Sequence, residues 1–215
     1  MTDALPYRMY LLAHDASARG PYDRRRTGFL VRAAVLVELA LRGHLVPDDD
    51  GAVRRAAEAA PTGDPVLDEV LREAAGRPHG WKTLVRRHRE RTLRAVEDRL
   101  AALGPVSVDQ RGGPFARRRV TVSDPAAVRA LTARAAAVLH ATGPAAEVDA
   151  ADAALVVLSA AGHVPSVAPR RDTRAHRARI DALTGRLGAV APGLEKAVRG
   201  LRTTMIAAQG GMGGS

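Results

Sequence analysis

The chain has 215 residues, which is enough for one domain with a hydrophobic core. Hydrophobic residues make up 46% and aromatic residues only 3%, which excludes a disordered chain and indicates a core built from Ala, Leu and Val. The net charge of +10 favours anionic partners, and the absence of cysteine excludes disulfides and thiolate metal sites.

The first predicted elements are a short apolar opening at residues 9–13 and a polar, basic loop at residues 15–27. Residues 29–42 are apolar on nearly every side, which predicts a buried central helix that ends at Gly43. Residues 45–53 are typical of a strand, a turn and a second strand. Asp64 and Pro65 have the residue types of a helix N-cap and first turn.

Further predicted elements follow in chain order: helices at 65–75 and 81–103, a hairpin at 106–122 around Gly112, Gly113 and Pro114, helices at 125–140, 148–161, 174–187 and 192–208, and a disordered Gly-rich tail at 210–215. These elements predict a mainly α fold. We expect a single helical domain, residues 1–209, around a central buried apolar helix, with one or two small β-hairpins.

The sequence offers no signal for an enzyme. Seven histidines are scattered without metal-ligand spacing, and Ser159 lacks a G-x-S-x-G frame. We therefore expect no catalytic residue, no metal and no cofactor. The longest apolar stretch is too short to span a bilayer, and no signal peptide is recognisable before residue 10, so a cytoplasmic location is expected.

Two segments carry a specific resemblance. LVELALRGHL at residues 36–45 and APTGDPVLDEVL at residues 60–71 resemble the signature segments of the Golgi phosphoprotein 3-like family, at a similar separation. The later order of a Trp-led helix, a hairpin and C-terminal helices is also similar, so the resemblance covers about residues 9–208. The bias toward Arg and Ala indicates a bacterial member of actinobacterial type.

The resemblance implies a non-enzymatic adaptor. The family binds phosphatidylinositol 4-phosphate through a shallow basic pocket, recruits client proteins to membranes and self-associates through a hairpin. For this chain we therefore expect peripheral membrane association, an anionic phospholipid headgroup as ligand, a client protein, and a homo-oligomer formed through the projecting hairpin 106–122, with Phe115 near its tip.

The resemblance also implies a set of headgroup-binding residues. The family's pocket uses an aromatic residue, an Arg at the start of the central helix and an R-x-x-R pair on the later long helix. Arg32 matches the first Arg, and Arg91 and Arg94 match the pair when the alignment is anchored on Trp81. Anchoring on Gly104 instead shifts the register by one residue and removes the match.

The aromatic position of the family falls on Asp23, with Tyr22 next to it. A carboxylate repels a phosphate, so this departure leaves the lipid specificity open. Tyr22 is retained as a candidate ligand-binding residue because its ring is adjacent to the family's aromatic position.

Helical spacing gives independent support for an anion site. On one continuous helix, Arg87, Arg91 and Arg94 lie at i, i+4 and i+7 and share one side, where their guanidinium groups could hold a phosphomonoester. The alternative is a solvated helix face on which Arg94 pairs with Glu90 and Asp98, each four residues away.

Two other charged features have two interpretations each. Arg32 lies in an apolar run and needs an anionic partner, which is either a ligand or an internal carboxylate such as Glu38. The predicted loop with Arg24, Arg25 and Arg26 either contacts anionic lipid or is simply solvated.

The alternative function is an Arg-rich nucleic-acid-binding or other protein-interaction module. The net charge and the Arg-rich helical segment 86–99 favour it. The scarcity of aromatic residues for base stacking and the absence of a helix-turn-helix spacing count against it. Binding of a lipid headgroup is therefore the leading hypothesis.

Overall fold

The computed structural model describes residues 3–15, 19–48, 51–109, 118–190 and 192–210, and 63% of the chain is helical. The helices of this part are α1 (Leu5–Leu12), α2 (Arg24–Leu41), α3 (Pro65–Ala74), α4 (Trp81–Arg86), α5 (Arg89–Leu103), α6 (Pro125–His140), α7 (Ala150–Gly162), α8 (Arg170–Ala175), α9 (Arg177–Val190) and α10 (Leu194–Gly210). The strands are β1 (His14–Asp15), β2 (Gly20–Pro21), β3 (Leu45–Pro47), β4 (Val53–Arg55), β5 (Val106–Asp109) and β6 (Arg119–Val122).

The strands of the described residues form three antiparallel pairs, β1–β2, β3–β4 and β5–β6. The prediction of a mainly α fold is therefore confirmed, with one hairpin more than expected. The additional pair, β1–β2, lies in the segment predicted to be a loop. It was missed because its strands are two residues each, too short to show an alternating pattern.

Helix α2 is the centre of the fold. It packs against α1, α3, α4, α5, α7 and α10, and its residues from Phe29 to Ala40 are buried except for Glu38. The predicted central buried helix is confirmed. Its last turn is not enclosed, because Arg42 is exposed at the end of the apolar run.

The N-terminus of α2 lies earlier than predicted. Asp23 has an extended backbone, and its carboxylate accepts a hydrogen bond of 2.9 Å from the Arg26 amide. This is an N-cap, so Arg24, Arg25 and Arg26 form the first helical turn and not a basic loop. Asp23, which departs from the family's aromatic, therefore has a structural role in starting the central helix.

The long helix predicted at residues 81–103 is broken in two. Helix α4 ends at Arg86, Arg87 has an extended backbone, and His88 has a left-handed one with φ of 50° before α5 starts. The six residues 86–91 are all polar, so no apolar side chain holds a helical turn against the core at this point. The prediction of a single helix is wrong here, because the apolar periodicity on either side of residues 86–91 does not continue through them.

Other predicted boundaries hold or shift by short distances. Asp64 accepts hydrogen bonds from the Val66 and Leu67 amides and so caps α3, and α6 has the predicted bounds. The helix predicted at residues 174–187 is divided into α8 and α9, and α10 extends to Gly210. Beyond Gly210, the predicted disordered tail lies outside the described residues.

The base of the predicted hairpin 106–122 is confirmed. Val106 pairs with Val122, and Val108 pairs with Val120. The Val120 amide also donates to the Arg19 carbonyl at 2.9 Å, which joins β6 to the chain beside β2. The predicted tip, residues 110–117 with Phe115, lies outside the described residues.

Helices α2 and α7 approach each other closely at Gly162. A Cβ atom built on Gly162 would lie 2.4 Å from Leu30 Cδ1 and 3.1 Å from Leu30 Cγ. Both helices are buried over most of their length, so a methyl group here would displace Leu30 from its packing position.

We expect Gly162→Ala to lower the free energy of unfolding by about 1–3 kcal/mol, the usual cost of overpacking a core. The measurement is urea unfolding followed by circular dichroism. Gly185→Ala in α9 is the control, because no described residue lies within 4 Å of its Cβ position and alanine favours helix there. Equal stability of both variants and the wild type would contradict the close approach of α2 and α7.

Candidate functional site

Arg32 is the most deeply placed of the predicted site residues, with no exposed surface. Its Nε donates to the Leu84 carbonyl at 3.0 Å, one terminal nitrogen donates to Thr92 Oγ1 at 3.2 Å, and the other donates to Glu73 Oε2 at 2.5 Å. Burial lowers the pKa of the guanidinium, and the carboxylate of Glu73 opposes that shift.

The anionic partner that Arg32 requires is therefore Glu73 on α3. Glu38, the internal carboxylate considered from sequence, has other partners. It accepts from the Leu5 amide at 2.8 Å and pairs with Arg42 at 2.6 Å. In this conformation Arg32 joins α2 to α3, α4 and α5, and no headgroup reaches its buried guanidinium.

Arg91 and Arg94 lie one turn apart on α5, and both side chains are exposed. They line an open cleft of about 430 Å³ together with Glu69 of α3. Arg91 Nε lies 2.6 Å from Glu69 Oε1, whereas the Arg94 guanidinium has no hydrogen bond or ion pair within the described part of the chain. The structure thus brings these two predicted residues together.

Three carboxylates also line the cleft, on residues Glu69, Glu90 and Asp98. Neither of the residues considered as partners of Arg94 binds it. Glu90 Oε1 lies 3.7 Å from a terminal nitrogen of Arg89, and Asp98 pairs with Arg118. The alternative in which Arg94 pairs with Glu90 and Asp98 is therefore not what the structure shows.

Arg87 does not lie on the α5 face. It is exposed in the extended link between α4 and α5, where its guanidinium contacts His79. The predicted row of three arginines assumed one continuous helix, and the break at His88 removes Arg87 from it. Arg91 and Arg94 remain as a pair on α5.

Tyr22 is half-buried away from this cleft and is not among its lining residues. Its hydroxyl donates to the Gly162 carbonyl at 2.5 Å, which ties the start of α2 to the end of α7. Burial raises the pKa of Tyr22 to about 12. The contacts of this side chain are therefore those of a structural anchor.

The segment 82–94 carries a concentration of positive charge. Its only acidic residue is Glu90. We call its exposed cations the α4–α5 basic surface, and they are Lys82, Arg86, Arg87, Arg91 and Arg94. Arg89 is half-buried, with its guanidinium 4.5 Å from the centre of the Phe29 ring. The exposed charges favour an anionic surface as a partner.

Glu97 is a buried charge that the sequence reasoning missed. It has no exposed surface, and it pairs with Arg24 at 2.6 Å and with Arg118 at 2.9 Å. The signal was available, because Glu97 is four residues after the buried Leu93 and three before the buried Leu100. A carboxylate on that apolar side requires an internal cation.

The fold and this cleft define a helical, Arg-rich protein with an open, charged surface site. Across the described ranges, no helix is long and apolar enough to cross a membrane, and no group of three or more His, Asp or Glu side chains is arranged to hold a metal ion.

A family model described as Golgi phosphoprotein 3 matches residues 5–201. The chain therefore belongs to the Golgi phosphoprotein 3 family, which is not known as a family of enzymes. No curated protein matches the chain in a sequence search. The family predicted from the sequence is therefore confirmed.

The pairing of Arg32 with Glu73 predicts a stability effect. We expect Glu73→Ala to lower the free energy of unfolding by about 3 kcal/mol, because it leaves a buried guanidinium without its counter-ion. Glu58→Ala is the control, since Glu58 is exposed and has no ion pair in the described residues. Urea unfolding that gives the same stability for both variants would show that Arg32 does not depend on Glu73.

The buried tyrosines predict how the stability of the protein changes at alkaline pH. The chain has three, and burial is the main cause that raises the pKa of Tyr7, Tyr10 and Tyr22 above the ordinary 10.0. A raised pKa favours the protonated folded state, so this stability is complete below pH 10 and is lost as the pH rises above it. Ultraviolet titration should therefore show no tyrosinate near pH 10 while circular dichroism remains native. Tyrosinate formed at pH 10 in the native protein would contradict this burial.

Proposed function

We propose that the protein is a peripheral membrane protein that binds a phosphorylated lipid headgroup, of the phosphatidylinositol 4-phosphate kind, at Arg91 and Arg94. The observation that carries the proposal is the exposed Arg94 guanidinium, which has no partner among the described residues and lies one helical turn from Arg91 in an open cleft of a Golgi phosphoprotein 3 family member. Two guanidinium groups on one helix face suit the several acceptor oxygens of a phosphomonoester.

The ion pair of Arg91 with Glu69 does not prevent this use. The Arg91 side chain is 70% exposed, and exposed ion pairs contribute only about 0–1 kcal/mol. A phosphomonoester carries more negative charge than a carboxylate at neutral pH, so it competes effectively for the Arg91 guanidinium.

The α4–α5 basic surface supports the approach to a membrane. Each exposed cation contributes about 1 kcal/mol near an anionic leaflet, and this attraction falls with ionic strength. Attraction of this kind brings the protein to any anionic surface, whereas the geometry of Arg91 and Arg94 supplies selectivity for the phosphate.

Arg32 has a supporting role in this proposal. Its guanidinium holds the end of α4 through the Leu84 carbonyl and the start of α5 through Thr92. It fixes α3 through Glu73. It is therefore a positioning residue for the α5 face that carries Arg91 and Arg94.

The proposal includes an adaptor role with a client protein, and self-association through the hairpin 106–122. Family membership supports both. The base of the hairpin is fixed to the core, because Arg118 pairs with the buried Glu97 and β5 pairs with β6. A second copy of the chain, or a client protein, that binds at this hairpin would thus have a defined orientation relative to the proposed lipid site.

The test is binding to vesicles with and without phosphatidylinositol 4-phosphate at matched net charge. We expect Arg94→Ala to weaken binding to the phosphoinositide vesicles by about 1.5–3 kcal/mol, the range for a hydrogen bond to a charged group. Arg129→Ala is the matched control, because Arg129 is exposed on α6 without a partner in the described residues. Its effect should stay below about 1 kcal/mol and shrink with salt.

Equal binding to both kinds of vesicle, or equal losses from the two substitutions, would contradict the proposed site and leave only charge attraction. Double-stranded DNA is added as a competitor. Displacement of the protein from phosphoinositide vesicles by DNA at equal phosphate concentration would favour the alternative of a nucleic-acid-binding module.

A further inference from the structure

We infer that the protein carries a second membrane-binding surface, formed by α6 and α8, and that it bridges two anionic membranes. The inference rests on the proposed function for one of the two contacts, the headgroup site at Arg91 and Arg94. It adds the second surface, the chemical class of its partner, and an activity that a single headgroup site does not provide.

Helix α8 and the start of α9 concentrate positive charge. Residues 170–179 contain five arginines and a single acidic residue, Asp172. Arg177 lies 3.9 Å from Asp181, and Arg179 donates to a backbone carbonyl near the end of α6. The other three are exposed and have no hydrogen bond or ion pair among the described residues. We call them the α8 arginines, and they are Arg170, Arg171 and Arg174. Exposed cations without an internal carboxylate favour an anionic partner.

The outward side of α6 is apolar and exposed. The helix has no acidic residue, and its buried residues are Ala135 and Leu139. On the side away from these two, residues spaced by four, three and four positions share one helical face. They are all exposed alanines, Ala126, Ala130, Ala133 and Ala137. This face of α6 therefore presents methyl groups to solvent and carries no negative charge.

The α8 arginines continue this side of α6. His140 ends α6 seven residues after Ala133 and so lies on the outward face. Its Nε2 lies 3.7 Å from Asp172 Oδ2, and its ring centre lies 4.7 Å from that of His176. These contacts place the junction of α8 and α9 at the end of the outward face. We call the outward alanines of α6 and the α8 arginines together the α6–α8 surface.

The composition of the α6–α8 surface favours a lipid bilayer as its partner. A bilayer interface offers anionic phosphates for the arginines and an apolar boundary for the methyl groups. The backbone of a nucleic acid satisfies only the arginines, and neither α6 nor residues 170–179 contain a Phe, Tyr or Trp on which a base could stack. The attraction depends on charge, so phosphodiester lipids are sufficient as ligands.

The two membrane-binding surfaces face different directions. Helix α5, with Arg91 and Arg94, packs directly on α2. Helices α6 and α9 pack instead on α7, which covers another part of α2. The outward face of α6 is the one directed away from the core, and the cleft of Arg91 and Arg94 opens between α5 and α3. A protein bound to one bilayer through the cleft therefore keeps the α6–α8 surface available for a second bilayer.

The experiment uses two populations of vesicles with different fluorophores. One contains phosphatidylinositol 4-phosphate in phosphatidylcholine, and the other contains phosphatidylglycerol. We expect the wild type to join the two populations, measured by fluorescence cross-correlation, and high salt to separate them. The combined variant Arg170→Gln, Arg171→Gln and Arg174→Gln should bind the phosphoinositide vesicles within about twofold of the wild type. Its bridging should fall by about tenfold or more, because each cation near an anionic leaflet strengthens binding by about fivefold.

The matched control removes three exposed cations from scattered positions on β4, α3 and α10. It combines Arg54→Gln, Arg72→Gln and Lys196→Gln, none of which has a partner among the described residues. We expect it to bridge like the wild type. Equal losses from the two triple variants would overturn the inference, because net charge alone would then explain bridging. Undiminished bridging by the α8 variant would also overturn it and assign bridging to self-association.

The two contacts are separated by a further variant. The combined substitution Arg91→Ala and Arg94→Ala should lose the phosphoinositide vesicles and still bind the phosphatidylglycerol vesicles. A wild type that prefers phosphoinositide vesicles and bridges nothing overturns the inference and leaves the proposed function standing. A wild type without that preference overturns the proposed function. Release of the Arg91→Ala, Arg94→Ala variant from phosphatidylglycerol by short duplex DNA at equal phosphate concentration would overturn the bilayer as the partner of the α6–α8 surface.

Discussion

The structure depends on the placement of one buried cation. Arg32 is enclosed within the apolar central helix α2, and its charge is matched by Glu73 on α3. Removing a charged group from water costs several kcal/mol unless its hydrogen bonds are replaced, so the surrounding helices are constrained to supply acceptors. They do so from three elements, because Leu84, Thr92 and Glu73 lie on α4, α5 and α3.

A second buried charge completes the arrangement on the other side of α5. Glu97 is buried and forms ion pairs with Arg24 at the start of α2 and with Arg118 at the base of the hairpin. Helix α5 is thus held against α2 at two points, by the hydrogen bond that Arg32 donates to Thr92 and by the ion pair of Arg24 with Glu97. The opposite face of α5, which carries Arg91 and Arg94, is exposed to solvent. Because the helix is fixed by buried contacts, the two guanidinium groups project from a rigid element, as an anion site requires.

The predictable part of the fold comes from strong local signals. The all-round apolar run of α2 and the Asp-Pro starts of α3 and α6 identify these helices because burial and capping are local properties. The all-polar gap at residues 86–91 shows where the helix lacks apolar support, but it does not identify His88 as the point of the break, because the left-handed backbone there is not marked by a glycine. The same limit applies to β1–β2, which has too few residues to show a pattern.

The site was predictable only in part. Helical spacing was enough to bring Arg91 and Arg94 together, since residues three apart share a helix face. The partner of Arg32 was not, because Glu73 lies on another helix and only tertiary packing places it 2.5 Å away. The contact of Glu69 with Arg91 depends on the same packing of α3 against α5, and nothing in the spacing of the sequence indicates it.

The central claim is that Arg91 and Arg94 bind the phosphate while Arg32 supports them from within the core. The most direct measurement is nuclear magnetic resonance of the arginine side-chain Nε–H groups during titration with a soluble inositol phosphomonoester. The account predicts saturable shifts of the Arg91 and Arg94 signals, and an Arg32 signal that stays in place and is protected from exchange with water. A uniform small shift of all exposed arginines, or a saturable shift of Arg32 with none at Arg91 and Arg94, would contradict it.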